Sequence, residues 1–174
     1  MFSTETQELL AHLEWADAAV WRAVLASGAA AADGRTKELL VHSHQTLGAY
    51  LQLWQGRRLE LPEADAFADV VAAAPWARRC HADVAAYAAA LDDAALLRPI
   101  TFPWADQLVK HFGEARPATL GQSILQLALH SAYHRGQVNA RLRELGGEPP
   151  LVDYIAWHWA GRPGPEWPAV SASP

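Results

Sequence analysis

Apolar residues recur along most of this chain at intervals of three and four, the period of an amphipathic helix. Leu9, Leu10, Leu13, Ala16, Val20 and Val24 follow that period and predict a helix over 4–27, stopped at Gly28. A second stripe, Leu39, Leu40, Leu47, Tyr50, Leu51 and Trp54, predicts a helix over 36–57, ended by Gly56 and Pro62. Pro75, a favoured first-turn residue, sets the expected start of a third helix that runs to 91. The fourth is expected from 118 or 119, after Pro117, to 145, where Gly146-Gly147 and Pro149-Pro150 terminate it. A short helix over 152–159 follows. Residues 61–74 read as a loop with a short turn, and 97–112, with Pro99, Pro103 and alternating polarity, as an irregular or hairpin-like connection. Four long helices predict an all-α four-helix bundle with a short fifth helix. It forms one domain over 1–160, followed by a loose Pro/Gly/Ser-rich tail over 161–174.

Composition agrees with that reading. Half of the 174 residues are apolar, many of them alanine, the best helix former. The net charge of −5 and the lack of a basic stripe argue against nucleic-acid binding. The opening MFSTETQELLAHLEW has no basic segment followed by an apolar run, so no signal peptide is expected. No stretch approaches the ~20 apolar residues that span a bilayer, so no membrane partner is expected. The single Cys80 excludes an internal disulfide, suits a reducing cytoplasm, and reads as a small buried thiol. Eight tryptophans are bulky core units, several of them able to line a pocket.

The chemistry is concentrated in the fourth predicted helix. His130 and His134 stand four residues apart, about 40° of arc and about 6 Å of rise, so both imidazoles leave one face. Such a pair supplies half of a typical divalent-metal site; the alternative is two partly buried histidines bonded to backbone or water. A third ligand must come from another helix. His42 and His44 are available on the second, but two residues diverge by about 200°, so at most one joins, and periodicity does not choose between them. His12 is expected at the surface, with a fourth-ligand role as the alternative. His81, His111 and His158 have no partner at ligand spacing and are expected to be structural or exposed. Tyr133 and Arg135 flank the pair, with substrate contact set against a solvated or interface role.

The run His130-xxx-His134-Arg135-Gly136-Gln137, then Arg141-Leu142-Arg143 and Gly146, then Glu148-Pro149-Pro150 and Asp153-Tyr154-Ile155, resembles the C-terminal signature of the DinB/YfiT-like superfamily. LEWADAAVWRAVL resembles its opening helix, and the likeness covers about residues 5–160, with 61–116 matching only in outline. The resemblance implies a four-helix bundle of unusual helix order, commonly dimeric, holding one divalent metal, often nickel or zinc, on three histidines. One comes from the second helix and two from the HxxxH pair. Leu39-Leu40-Val41-His42, with Tyr50 and Gly56-Arg57, fits the family frame, whereas His44 would need its aromatic at Gln52. The implied set is therefore His42, His130 and His134, although the family usually has tryptophan where Tyr50 stands.

Three histidine ligands leave coordination positions open, as in catalytic sites. By resemblance the expected activity is a metal-dependent S-transferase that joins a low-molecular-weight thiol, such as bacillithiol or mycothiol, to a small electrophile. The alternatives are a metal-dependent hydrolase and a non-catalytic, stress- or DNA-damage-inducible bundle whose metal is closed off by a fourth ligand, His12 or His44. No acidic residue occupies a defensible general-base position, so no catalytic side chain is assigned. A homodimer is expected by resemblance, with Trp15 and Trp21 of the first helix as candidates for its two-fold interface.

Overall fold

The first helix, α1 (Ser3–Ala26), carries the Leu10, Leu13, Val20 and Val24 stripe on its buried face. Ser27 does not simply end it. Its hydroxyl accepts from the Ala30 amide at 3.3 Å and caps a single helical turn, α2 (Gly28–Ala31). Asp33 then caps α3 (Gly34–Trp54), accepting from the Thr36 amide at 2.8 Å. Gly56, at φ +66°, reverses the chain after α3, and the Arg57 amide reaches back to the Gln52 carbonyl at 2.8 Å.

The third long helix begins earlier than Pro75 predicts. α4 (Val70–Ala89) is capped by Asp69, which accepts from the Ala72 amide at 2.8 Å, and Pro75 lies inside it. Proline at that position forfeits one bond, to the Val71 carbonyl, in a part of the helix that faces solvent. Residues 97–112 are only partly hairpin-like. The two-residue strands β1 (Pro99–Ile100) and β2 (Ala118–Thr119) pair antiparallel, with a short helix α5 (Ala105–Val109) between them. Thr119 also starts α6 (Leu120–Glu144) through a full capping box with Gln122. Gly146, at φ +78°, closes α6 in a Schellman turn, with the Gly147 amide on the Leu142 carbonyl at 2.9 Å. α7 (Tyr154–Trp159) completes the fold. The computed structural model describes residues 3–111 and 113–169.

α1, α3, α4 and α6 form the four-helix bundle. α1 and α3 each pack between α4 and α6, so α1 lies diagonally across from α3, and α4 from α6. The Trp54–Tyr87 stack, at 5.6 Å, joins the ends of α3 and α4, which therefore run the same way. Trp54 also donates to Ser123 near the start of α6, and Arg141 near its end pairs with Asp33 at the start of α3, so α6 runs antiparallel to α3. Among the described residues no helix is long and apolar enough to cross a membrane.

Two apolar clusters fill the bundle. One gathers Leu10, Leu13, Leu47, Trp54, Val84 and Leu127; the other gathers Val20, Trp21, Leu40, Ala77, Val138 and Leu142. Between them lies a buried polar layer to which each long helix contributes a side chain: Asp17, His44, His81 and Arg135. The segment after Gly161 has no helix or strand as far as 169, yet it is tied down along its length, first by Arg162 on Glu8 at 3.0 Å and by the Pro163 carbonyl, which accepts from Trp157 at 3.0 Å. Glu166 pairs with Arg22, and Trp167 donates to Glu14 at 3.0 Å while its ring lies 5.5 Å from that of His81. Residues 170–174 of the expected tail lie outside the described residues.

Candidate metal centre

His42 on α3 and His130 and His134 on α6 come together where these antiparallel helices pack. Their ring nitrogens include one from each residue that lie within 4.8 Å of one another. His134 is the hub: its ring centroid is 4.3 Å from that of His130 and 4.6 Å from that of His42. The Nε2 atoms of His130 and His134 are 2.8 Å apart. Two imidazole nitrogens at that distance are held by one proton or by one cation lying between their lone pairs.

The second contact of His134 fixes which nitrogen is free. Its Nδ1 lies 2.8 Å from the Gln137 carbonyl oxygen, an acceptor, so Nδ1 carries the proton and donates it, leaving the Nε2 lone pair for a ligand. Burial, and then His134, press the His42 pKa below its ordinary value, against a hydrogen bond with Gln45 that raises it. Burial lowers the His130 pKa as well, with His134 and His42 adding to the effect. Lowered pKa values keep these rings neutral at pH 7, the form that binds metal. The set therefore fits a divalent ion: ring nitrogens from three residues, all within 4.8 Å of one another, close enough to converge on one ion through ~2.0–2.1 Å bonds after small side-chain rotations. Among the described residues no fourth histidine, cysteine or acid joins it.

His44 points the other way, as its two-residue offset from His42 requires. It is fully buried; its Nδ1 donates to the Leu40 carbonyl at 2.9 Å, and its Nε2 accepts from the Trp21 indole at 3.4 Å. With Asp17 and His81 it makes a second cluster of potential ligand atoms. Those atoms are already engaged. Asp17 accepts from Arg135 at 2.7 Å and from His81 at 3.1 Å, and the Arg135 guanidinium supplies the cation that the carboxylate needs. Burial alone would raise the Asp17 pKa, but Arg135 and His81 outweigh it and hold the group well below the usual carboxylate range. This layer is structural.

Several sequence expectations move. His12 is neither a fourth ligand nor a surface residue: it is buried beneath α7, with its Nε2 3.0 Å from the Val152 carbonyl and its ring against Tyr154 and Trp157. Trp21 is fully buried and bonded to His44, which removes it from any interface. Arg135 is turned inward to Asp17 and touches neither substrate nor solvent, whereas Tyr133 is exposed. His81 is structural, and His111 and His158 are exposed. Cys80 is buried, and burial, with Asp83 adding to it, pushes its thiol up to about 12, far from a nucleophile's range.

A cavity of about 860 Å3, in the range of small-molecule sites, opens beside the three imidazoles, and His42 and His130 line it. Tyr50, Phe102 and Trp104 form an aromatic wall with ring centroids 5.4–6.0 Å apart. The sequence did not point to this wall, because the 97–117 connection has no periodicity. Its signal is compositional: two aromatics bracket Pro103 in a stretch of mixed polarity. The cavity thus gives a molecule access to two of the three imidazoles.

No curated protein and no solved structure matches the chain at a significant level. The sequence profile of the DinB family, in contrast, matches residues 1–167, nearly the whole chain and every element of the bundle and the histidine cluster. The chain belongs to the DinB family.

Proposed function

We propose that His42, His130 and His134 hold one divalent metal ion, nickel or zinc, and that the protein is a metal-dependent S-transferase joining a low-molecular-weight thiol, such as bacillithiol or mycothiol, to a small electrophile. The observation that carries this reading is the convergence of three imidazoles beside a cavity large enough for two small reactants, with His42 and His130 in its lining. A metal at such a centre supplies Lewis acidity, which favours a thiol in its thiolate form. The residues of the chain do the rest. Gln137 fixes the tautomer of His134 and aims its Nε2. The aromatic wall excludes water and holds the electrophile's carbon skeleton close to the sulfur. The thiol proton leaves to solvent. The sulfur lone pair then forms the new C–S bond, and the displaced group departs with the electrons of the bond that breaks. Three protein ligands with no fourth favour this reading over a closed, non-catalytic centre.

The test is elemental analysis of metal-reconstituted protein beside a His130→Ala/His134→Ala variant, followed by a thiol-transfer assay with a panel of electrophiles. About one equivalent of metal is expected in the wild type and none in the variant, with transfer following the metal. Equal metal in both would overturn the ligand set. Stoichiometric metal without transfer to any electrophile would leave the non-catalytic bundle.

The proposal includes a homodimer. Leu125, Leu129 and Tyr133 form an exposed apolar stripe along α6, with Leu129 61% and Tyr133 64% exposed, and this face joins the partly exposed Trp15 of α1 as a candidate two-fold interface, while the buried Trp21 drops out.

A further inference from the structure

The cavity has two unlike ends. His42 and Tyr50 both line it from α3, eight residues and therefore about 12 Å apart along the helix axis. The imidazoles occupy one end; Tyr50, Phe102 and Trp104 enclose the other. Tyr50 is only 6% exposed as a residue, and it lines the cavity, where its hydroxyl can donate to a bound group. Burial raises its pKa, so it stays protonated and available as a donor. Two charged residues line the same cavity. Glu63 is already engaged, accepting from Gln45 at 3.3 Å, whereas Arg116 makes no ion pair or hydrogen bond among the described residues. The two formal charges balance, and Arg116 is the one left without a protein partner among the described residues, free to pair with a ligand anion.

We propose that the aromatic end of this cavity is a subsite for a flat aromatic carboxylate, its ring system against Phe102 and Trp104, a polar atom accepting from the Tyr50 hydroxyl, and its carboxylate facing Arg116. Aromatic faces favour flat rings by offset or edge-on stacking. A guanidinium favours a carboxylate through paired, charge-assisted hydrogen bonds. As the electrophile's site the subsite rests on the metal reading above, because the 12 Å span then carries the ligand from the aromatic wall to the thiolate. Its binding chemistry does not depend on the metal.

The experiment exploits that independence. Chelator-treated, metal-free protein is titrated calorimetrically with 2-naphthoate and, separately, with the neutral 2-naphthamide, and metal content is measured on reconstituted samples of the same preparations. The expected result is one site with about tenfold preference for the acid. Arg116→Gln, at an exposed position, should abolish that preference and leave the amide's affinity unchanged. Trp104→Ala should weaken both ligands by about tenfold, and Tyr50→Phe by severalfold, with helix content unchanged by circular dichroism. No binding of either probe, equal affinity for acid and amide, or an unaltered affinity in Trp104→Ala would overturn the subsite, whatever the metal content. Naphthoate binding by a protein that takes up no metal would overturn the metal reading and leave the subsite standing.

Discussion

Gln137 shows how much of the proposed metal centre lies outside its three histidines. Its carbonyl is the acceptor for the His134 Nδ1 proton, so Gln137→Leu should weaken metal binding by about 10- to 100-fold while the helix content stays unchanged, as read by competition with a chromogenic chelator. Unaltered affinity would mean that His134 is oriented by packing alone. His44 makes a different prediction. Burial, followed by the nearby His81, depresses its pKa to about 4, against 6.5 in the unfolded chain. The unfolded state therefore binds more protons between these values, and stability must fall as pH drops from 6.5 towards 4, by on the order of 3 kcal/mol. Asp17, whose pKa is also depressed, extends the loss below its unfolded value of ~3.9. Urea midpoints between pH 7 and pH 4 measure this, and a midpoint that rises on acidification would contradict it. The individual residues were unevenly legible in the sequence. His130 and His134 announce themselves by spacing. His42 and His44 flank the apolar stripe on opposite sides, and only the partner helix, invisible to periodicity, separates ligand from core. Asp17 was legible only as an acid set among alanines.

The elements show where local signals compete. Pro75 is a strong start signal, but Asp69 caps the helix one turn and a half earlier, and α4 absorbs the proline because the forfeited bond faces water. The ends of α3 and α6 were readable from Gly56 and Gly146-Gly147, since only glycine adopts positive φ there without strain. Gly146→Ala should therefore cost about 1 kcal/mol through its left-handed backbone alone, seen as a lowered thermal midpoint. An unchanged midpoint would show that the turn relaxes. The motif after the HxxxH pair is also explained element by element. Arg135 ties α6 to α1, and Arg141 ties it to the Asp33 cap of α3 through bonds of 2.7 and 3.0 Å. The aromatic wall stayed hidden because residues 99–117 owe their positions to a two-residue strand pair and five residues of helix, too short for periodicity to register.

At the scale of the whole molecule, the α6 stripe predicts association. A dimer by light scattering at micromolar concentration, reduced to a monomer by Leu129→Glu, is the expected outcome; a monomeric wild type would remove the dimer from the proposal. Metal should also stabilise the fold by mass action, by about 2.7 kcal/mol at a hundredfold excess over its dissociation constant, and chelation should reverse the shift in melting temperature. The buried layer of Asp17, His44, His81 and Arg135 bears on something else, the speed of loading. His134 and Arg135 are neighbours on α6, so any roll of the helix that displaced the imidazole would also drag a guanidinium off its carboxylate inside the core, a step costing several kcal/mol. The backbone of the centre is in effect locked before an ion arrives. On the proposed metal reading, uptake and release are then expected to be side-chain events, set by how fast an ion sheds its water and three rings turn, with no slow conformational phase in a stopped-flow trace.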